Sequence, residues 1–406
     1  MKTANFDHAS ATPLLTEALA AMMPFLETEY GNPQSLHSLG QKPREAVDKA
    51  REQVAALLNA GSANRIVFTA SASESNNLAL KGLAMARQDK GKHIVVSAIE
   101  HQSVLEPARA LAKLGFEVTE LPVDRYGLVS PDELAKALRA DTILVSIQHA
   151  SNEIGTIQDI AALAEVAHEH GALFHSDGTA AVGRIPVDVQ ALGVDAYSFS
   201  AQSIYGPKGT AALYLKQGAR PLSLVHGGIQ EKGKRAGTEN VPGIVGMGAA
   251  AEVTARDLAG WSARMKSLSD RLRQELPDRL EHIVLTGHPE NRLPGHFSVC
   301  IEFVEGEAML LFLNDEGFAT ASGSACTAKT LKASHVLLAI GLPVGKAQSS
   351  LVLTLGKDST EEQVSRFLDA LPPIIERLRS MSPLYARFQK GEDPYETHDQ
   401  SCHGEH

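Results

Sequence analysis

Hydrophobic and polar positions along this chain switch repeatedly between two periods. Short apolar or β-branched runs closed by small polar residues alternate with longer stretches whose apolar positions recur three and four apart. Leu14 to Tyr30 and Gln41 to Asn59 read as helices, separated by the Gly31-Asn32-Pro33 break. Arg65 to Thr69, His93 to Ala98, Thr142 to Gln148 and Ala172 to Ser176 read as strands. Ala196 to Leu215 reads as strand, turn and strand, the turn lying at Ile204 to Gly209. A long helix from Gly243, broken near Pro277, follows. Then come a strand at Val299 to Phe303, a helix at Glu307 to Leu313, and an amphipathic helix at Thr360 to Leu378, kinked at Pro372-Pro373.

The alternation from about residue 60 to 215 predicts an α/β fold with a mostly parallel sheet and helices on both faces. Open sheets of this kind bind ligands at the carboxyl ends of their strands. Ser73, His101, Asn152, Asp177 and Ser200 all fall just after a predicted strand. Ala70 to Asn77 joins a small-residue turn to a helix start, where free backbone N–H groups favour an anion. The same residues also suit a plain helix cap, with Ser73 as the capping side chain.

A chain of 406 residues is too long for one ordinary core, and two domains are expected. The expected division is 15–260 for a large α/β domain, 1–14 with 261–390 for a small α+β domain, and 391–406 for a disordered tail. The net charge of −10 argues against a general nucleic-acid binder. No apolar run approaches the roughly 18 residues a membrane helix needs. The opening MKTANFDHAS lacks an apolar signal core, so a cytoplasmic location is expected. Cys300, Cys326 and Cys402 make no disulfide framework, and each thiol becomes a question of reactivity. In the tail, Cys402, His403 and His406 are conceivable metal ligands, although a polar terminus is the expectation.

Several stretches together resemble the cysteine desulfurases, class V aminotransferase-like enzymes that use pyridoxal phosphate (PLP). Asp7, Thr12 and Pro13 match the family's entry motif, and Ile204-Tyr205-Gly206-Pro207-Lys208-Gly209 its cofactor-lysine segment. His226 to Thr238 matches its His-Gly-Gly-x-x-Glu-x-x-x-Arg-x-Gly-Thr segment. Ala321 to Thr327 matches its cysteine-loop signature. The resemblance runs from Asp7 to about Tyr385. It implies a fold type I PLP enzyme with a sheet of the seven-stranded type, and a homodimer. It assigns Ala72 and Ser73 to the cofactor phosphate, Ser200 to cofactor binding, and Thr238 to the phosphate of a neighbouring subunit. His101 is assigned to stacking on the ring, Asn152 to the ring oxygen, Asp177 to the ring nitrogen, and Cys326 to sulfur delivery. No metal site is implied, apart from Cys326 as a conceivable ligand to an iron–sulfur cluster.

The resemblance breaks at four places that touch cofactor or substrate. The family reads Ser-x-His-Lys where this chain has Ser200-Ala201-Gln202-Ser203. A serine hydroxyl cannot form the imine that the lysine forms. Gln202 and Ser203 remain at the cofactor position, and Lys208 matches a second family lysine. Ala180 stands where a glutamine bonds the ring hydroxyl, and Val352 where an arginine clamps the substrate carboxylate. These changes lead to the expectation of a divergent desulfurase-family protein in sulfur transfer or iron–sulfur assembly. Its PLP catalysis would be lost or altered, PLP would be held without a lysine bond or be absent, and Cys326 would be kept as sulfur carrier. Two alternatives stay open: an active PLP-dependent desulfurase or lyase, and a non-catalytic subunit pairing with an active paralogue. The partners implied are an iron–sulfur scaffold, a sulfur acceptor or that paralogue.

Overall fold

The computed structural model describes residues 3–323 and 333–395. Cys326 and the tail residues Cys402, His403 and His406 lie outside the described residues. After a short β1 (Ala4–Asn5), seven strands form the main sheet: β2 (Ile66–Thr69), β3 (His93–Ser97), β4 (Glu117–Leu121), β5 (Thr142–Ser146), β6 (Leu173–Asp177), β7 (Ala196–Ser200) and β8 (Ala211–Leu215). Their order across the sheet is β2-β8-β7-β6-β5-β3-β4. β8 runs antiparallel to both β2 and β7, and the other neighbours are parallel. Helices cover both faces, so β3, β5 and β7 are buried along their whole length. That is why β3 and β5 read as continuous apolar runs, while β7 buries the small polar Ser198 between Tyr197 and Phe199.

A second core surrounds the antiparallel sheet of β9 (Ile283–Leu285), β10 (His296–Ile301) and β12 (Ser350–Thr354), ordered β12-β10-β9. β11 (Phe318–Ala319) pairs in parallel with β1 and brings the N-terminus to this core. Phe6, Phe297, Leu351 and Phe367 pack inside it.

The helix Val241–Arg279 joins the two cores. The Asn240 side chain caps its start by accepting from the Gly243 N–H at 3.2 Å. Ile244, Met247, Ala250 and Met265 enter the core beneath the main sheet, and Leu268, Leu272 and Leu276 enter the second. Helix Ser38–Leu57 packs closely on it, since a Cβ at Gly248 would stand 2.6 Å from the Ala50 Cα. The expected break near Pro277 is not found. The helix passes through Pro277 and ends two residues later. Pro372 and Pro373 likewise sit inside one helix, Glu361–Ser380, begun by a capping box of Thr360 and Gln363.

Gly178, just after β6, sits where only a bare backbone fits. A Cβ there would meet the Tyr197 ring at 2.0 Å. Tyr197 is fully buried on β7, and its hydroxyl is 2.7 Å from the His149 Nδ1. Gly178→Ala is expected to destabilise by about 1–3 kcal/mol through overpacking. Tyr197→Val alone empties a buried space and strands His149, so the double variant should lose less than the two single changes added together, because the clash is gone. Urea unfolding midpoints of the three variants and the wild type check this.

Candidate active site

A cavity of about 490 Å³ opens at the carboxyl ends of the main-sheet strands. Val352 and Thr354 of β12 close it from the second core, with Asp7 and His8 from the N-terminus. Ala72, Ser73, His101, Asn152, Asp177, Ser200, Gln202 and Ser203 all line this one space. Thr238 does not. It is exposed, and its loop is tied down by Arg235, whose Nε donates to the Glu74 Oε1 at 3.0 Å.

The small-residue turn after β2 forms a cradle. The helix starting at Ala72 continues through a π-helical stretch, Leu78–Gly82, to Ala86. Its capping side chain is Ser71, which accepts from the Glu74 N–H at 3.1 Å. The expectation of Ser73 as cap is therefore corrected: two residues earlier, Ser71 takes the extended backbone a cap requires. The Ser73 hydroxyl, facing the same cavity, has no hydrogen-bond partner among the described residues. Ser200 Oγ is buried and also unpartnered. Two free hydroxyls beside a helix N-terminus suit a phosphate.

Behind the cradle, Asp177 anchors a polar chain. Its Oδ1 accepts from the Thr179 N–H at 2.9 Å and the Thr179 hydroxyl at 2.6 Å. Its Oδ2 accepts from Asn76 Nδ2 at 2.7 Å. The same Nδ2 donates to Ser103 Oγ at 2.8 Å, and the Ser103 N–H donates to His101 Nδ1 at 3.0 Å. His101 Nδ1 is thus an acceptor in this chain of contacts. A fixed carboxylate and an imidazole in one cavity fit a protonated ring nitrogen and the face of an aromatic ring.

The turn after β7 contributes no amine at position 203. Ser203 Oγ donates to the Ser200 carbonyl at 2.7 Å, bracing the turn Ala201–Ile204. Lys208 is the only lysine among the described residues lining the cavity, and its Nζ donates to the Thr12 carbonyl at 3.1 Å. The residues present therefore fit PLP held without a covalent bond through position 203.

Three cavity residues escaped the sequence reading. Glu153 is pushed up to about 7 by burial, against a hydrogen bond that its Oε2 accepts from the Ser334 hydroxyl. His296 donates Nε2–H to the Asn152 carbonyl at 2.9 Å, and burial drives it down to about 3, so it stays neutral. Arg184 lines the cavity wall beside Val182. Its available signal was a single charge inside the otherwise apolar stretch Ala180 to Pro186.

Comparison with known proteins agrees with this geometry. Residues 4–367 match the family Aminotransferase class-V. "Cysteine desulfurase IscS 1" of Archaeoglobus fulgidus is 49% identical over 382 residues, covering 94% of this chain and 99% of that protein. "Cysteine desulfurase IscS" of Dictyoglomus turgidum is 48% identical, covering 93% of this chain and 95% of that one. Among solved structures, one titled NifS-like protein superposes with a TM-score of 0.87 at 35% identity, over 93% of this chain and all of its own. An apo cysteine desulfurase from Thermococcus onnurineus gives 0.81 at 25% identity, over 93% and 95%. With identity near one half along almost its whole length, on the same fold type I architecture, the chain belongs to the class V aminotransferase family and is of the cysteine desulfurase kind.

Proposed function

We propose that this protein draws sulfur from L-cysteine in the cavity and passes it to an acceptor, with iron–sulfur assembly as the setting. In the overall change, the carbon–sulfur bond of cysteine is replaced by a carbon–hydrogen bond, giving L-alanine. The sulfur atom joins the Cys326 thiol as a persulfide, so atoms and electrons balance with no outside oxidant. The observation that carries this reading is that one cavity gathers eight of the ten candidate residues at the strand ends. The names of the relatives favour turnover over a purely structural role.

PLP, when bound, supplies an electron-accepting ring. The Ala72 backbone and the hydroxyls of Ser73 and Ser200 would hold its phosphate, with Thr238 of a second copy completing the site in a homodimer. Asp177 would face the ring nitrogen, Asn152 the ring oxygen, and His101 the ring face. Glu153, poised near neutrality, can hold or release a proton inside the cavity. The lysine of the family has no replacement at position 203, where the Ser203 hydroxyl is engaged with Ser200. This contact favours a second reading, in which the chain is the non-catalytic partner of an active paralogue.

The deciding experiment is to add PLP and L-cysteine to the purified protein with dithiothreitol, which reduces the persulfide and releases its outer sulfur as sulfide, and to measure alanine and sulfide. Slow formation of both is expected, with PLP removable by gel filtration and not fixed to the chain by borohydride. No turnover at all would carry the second reading, and PLP fixed to a lysine would overturn the noncovalent site.

Ser203→Lys is expected to make PLP resist gel filtration and to raise alanine formation on the order of a hundredfold, the range general acid–base groups contribute. A variant that binds PLP covalently yet turns over no faster would show that the lysine is not what limits the wild type.

Cys300 provides an internal control for Cys326. It is fully buried on β10, and burial pushes its thiol up to about 12. Native protein treated with iodoacetamide should label Cys326 and leave Cys300 unmodified. After incubation with cysteine and an active desulfurase, mass spectrometry should find the persulfide on Cys326. Persulfide confined to Cys402 would remove Cys326 from the pathway.

A further inference from the structure

Arg184 presents an unmatched charge to the cavity. Its backbone is fixed on both sides: the N–H donates to the Ala181 carbonyl at 3.0 Å, and the carbonyl accepts the Ser262 hydroxyl at 2.5 Å. Nη1 donates to the carbonyls of Pro294 and Leu355, each at 3.1 Å, and lies 3.7 Å from the Met265 sulfur. Every recorded contact of the guanidinium uses that one nitrogen. Among the described residues, no hydrogen bond reaches Nε or Nη2 and no ion pair forms.

The unused pair is significant because of guanidinium geometry. Nε and Nη2 form one edge of the planar group, and two parallel N–H donors on an edge match a carboxylate. The acids of the cavity are already served by other donors. Asp177 is held by Thr179 and Asn76, Asp7 accepts from Ser10, and Glu153 accepts from Ser334. His8 and His296, which also line the cavity, are held neutral at about 4 and about 3, mainly by burial, with the charge of Arg184 contributing. Arg184 is half-buried and its Nε–Nη2 edge is not sealed off, so a ligand anion entering the cavity can reach it. Val352, across the same cavity, offers no charge.

We propose that Arg184 anchors the carboxylate of the amino-acid ligand, taking over the task of the arginine that Val352 replaces. The inference rests on the reading that this cavity takes cysteine, and it deepens that reading by naming the recognition group. The carboxylate approaches the Nε–Nη2 edge while Nη1 keeps its grip on Pro294 and Leu355. The guanidinium is thereby preorganised, and little side-chain freedom is lost on binding.

The test is isothermal titration of the full chain as purified, under reducing conditions, with L-cysteine and with cysteamine, which differs by lacking the carboxylate. The wild type is expected to bind L-cysteine at least about tenfold more tightly, the scale of one charge-assisted contact. Arg184→Gln should bring the two ligands within about twofold while leaving cysteamine affinity unchanged, and Arg184→Lys should retain part of the preference. An unchanged preference in Arg184→Gln, no preference in the wild type, or equal loss of both ligands would overturn the anchor. Equal loss would assign Arg184 to joining Pro294 and Leu355. L-serine and ethanolamine separate this inference from the functional reading. An Arg184-dependent preference for both carboxylates, with L-serine bound as well as L-cysteine, keeps the anchor and removes cysteine as the ligand. Tight, selective L-cysteine binding that ignores Arg184 does the reverse.

Discussion

The site depends on a buried carboxylate held in place. Asp177 ends β6 with three donors on its two oxygens, from Thr179 and Asn76. A carboxylate in that position would be costly without them. The donors come from two separate segments, so satisfying the charge also fixes the helix after β2 against the turn after β6. Ser103 and His101 extend the same chain to the segment after β3. Three strand ends are therefore held in register by one polar network, and the cavity inherits its shape from it.

Much of this was legible in the sequence for a simple reason. A parallel sheet buried on both faces requires uninterrupted apolar strands, and each must end in polar residues where it meets solvent or ligand. Ser73, His101, Asn152, Asp177 and Ser200 could be picked out because they stand at those junctions. Other features were not legible because they depend on partners distant in sequence. Arg184 could not be distinguished from a surface arginine until Pro294 and Leu355 were seen to take one nitrogen and leave an edge free. Glu153 drew no notice in the sequence, because its raised affinity for a proton comes from burial beside Ser334. Pro277 was read as a break, yet the helix runs through it to Arg279, packed against both cores.

The departures from the family pattern are not scattered. Gln202 and Ser203 lie on one turn, Ala180 on another, and Val352 lines the same cavity from β12. Gly178, two residues before Ala180, leaves no room for a side chain, because the Tyr197 ring fills that space. The change at 352 is offset, in the reading advanced above, by a cation from a different wall. Ser203 has a new local role in its turn, and no other described residue brings an amine to its position.

The helix Val241–Arg279 has a consequence for how the molecule comes apart. Its first two-thirds belong to one core and its last third to the other, with no break between them. Neither core can melt alone without fraying this helix at its middle, where each lost turn exposes apolar side chains. The two cores are therefore coupled thermodynamically. Heat or denaturant should meet a single cooperative unit rather than two independent ones, and a destabilising change in either core should lower the resistance of both.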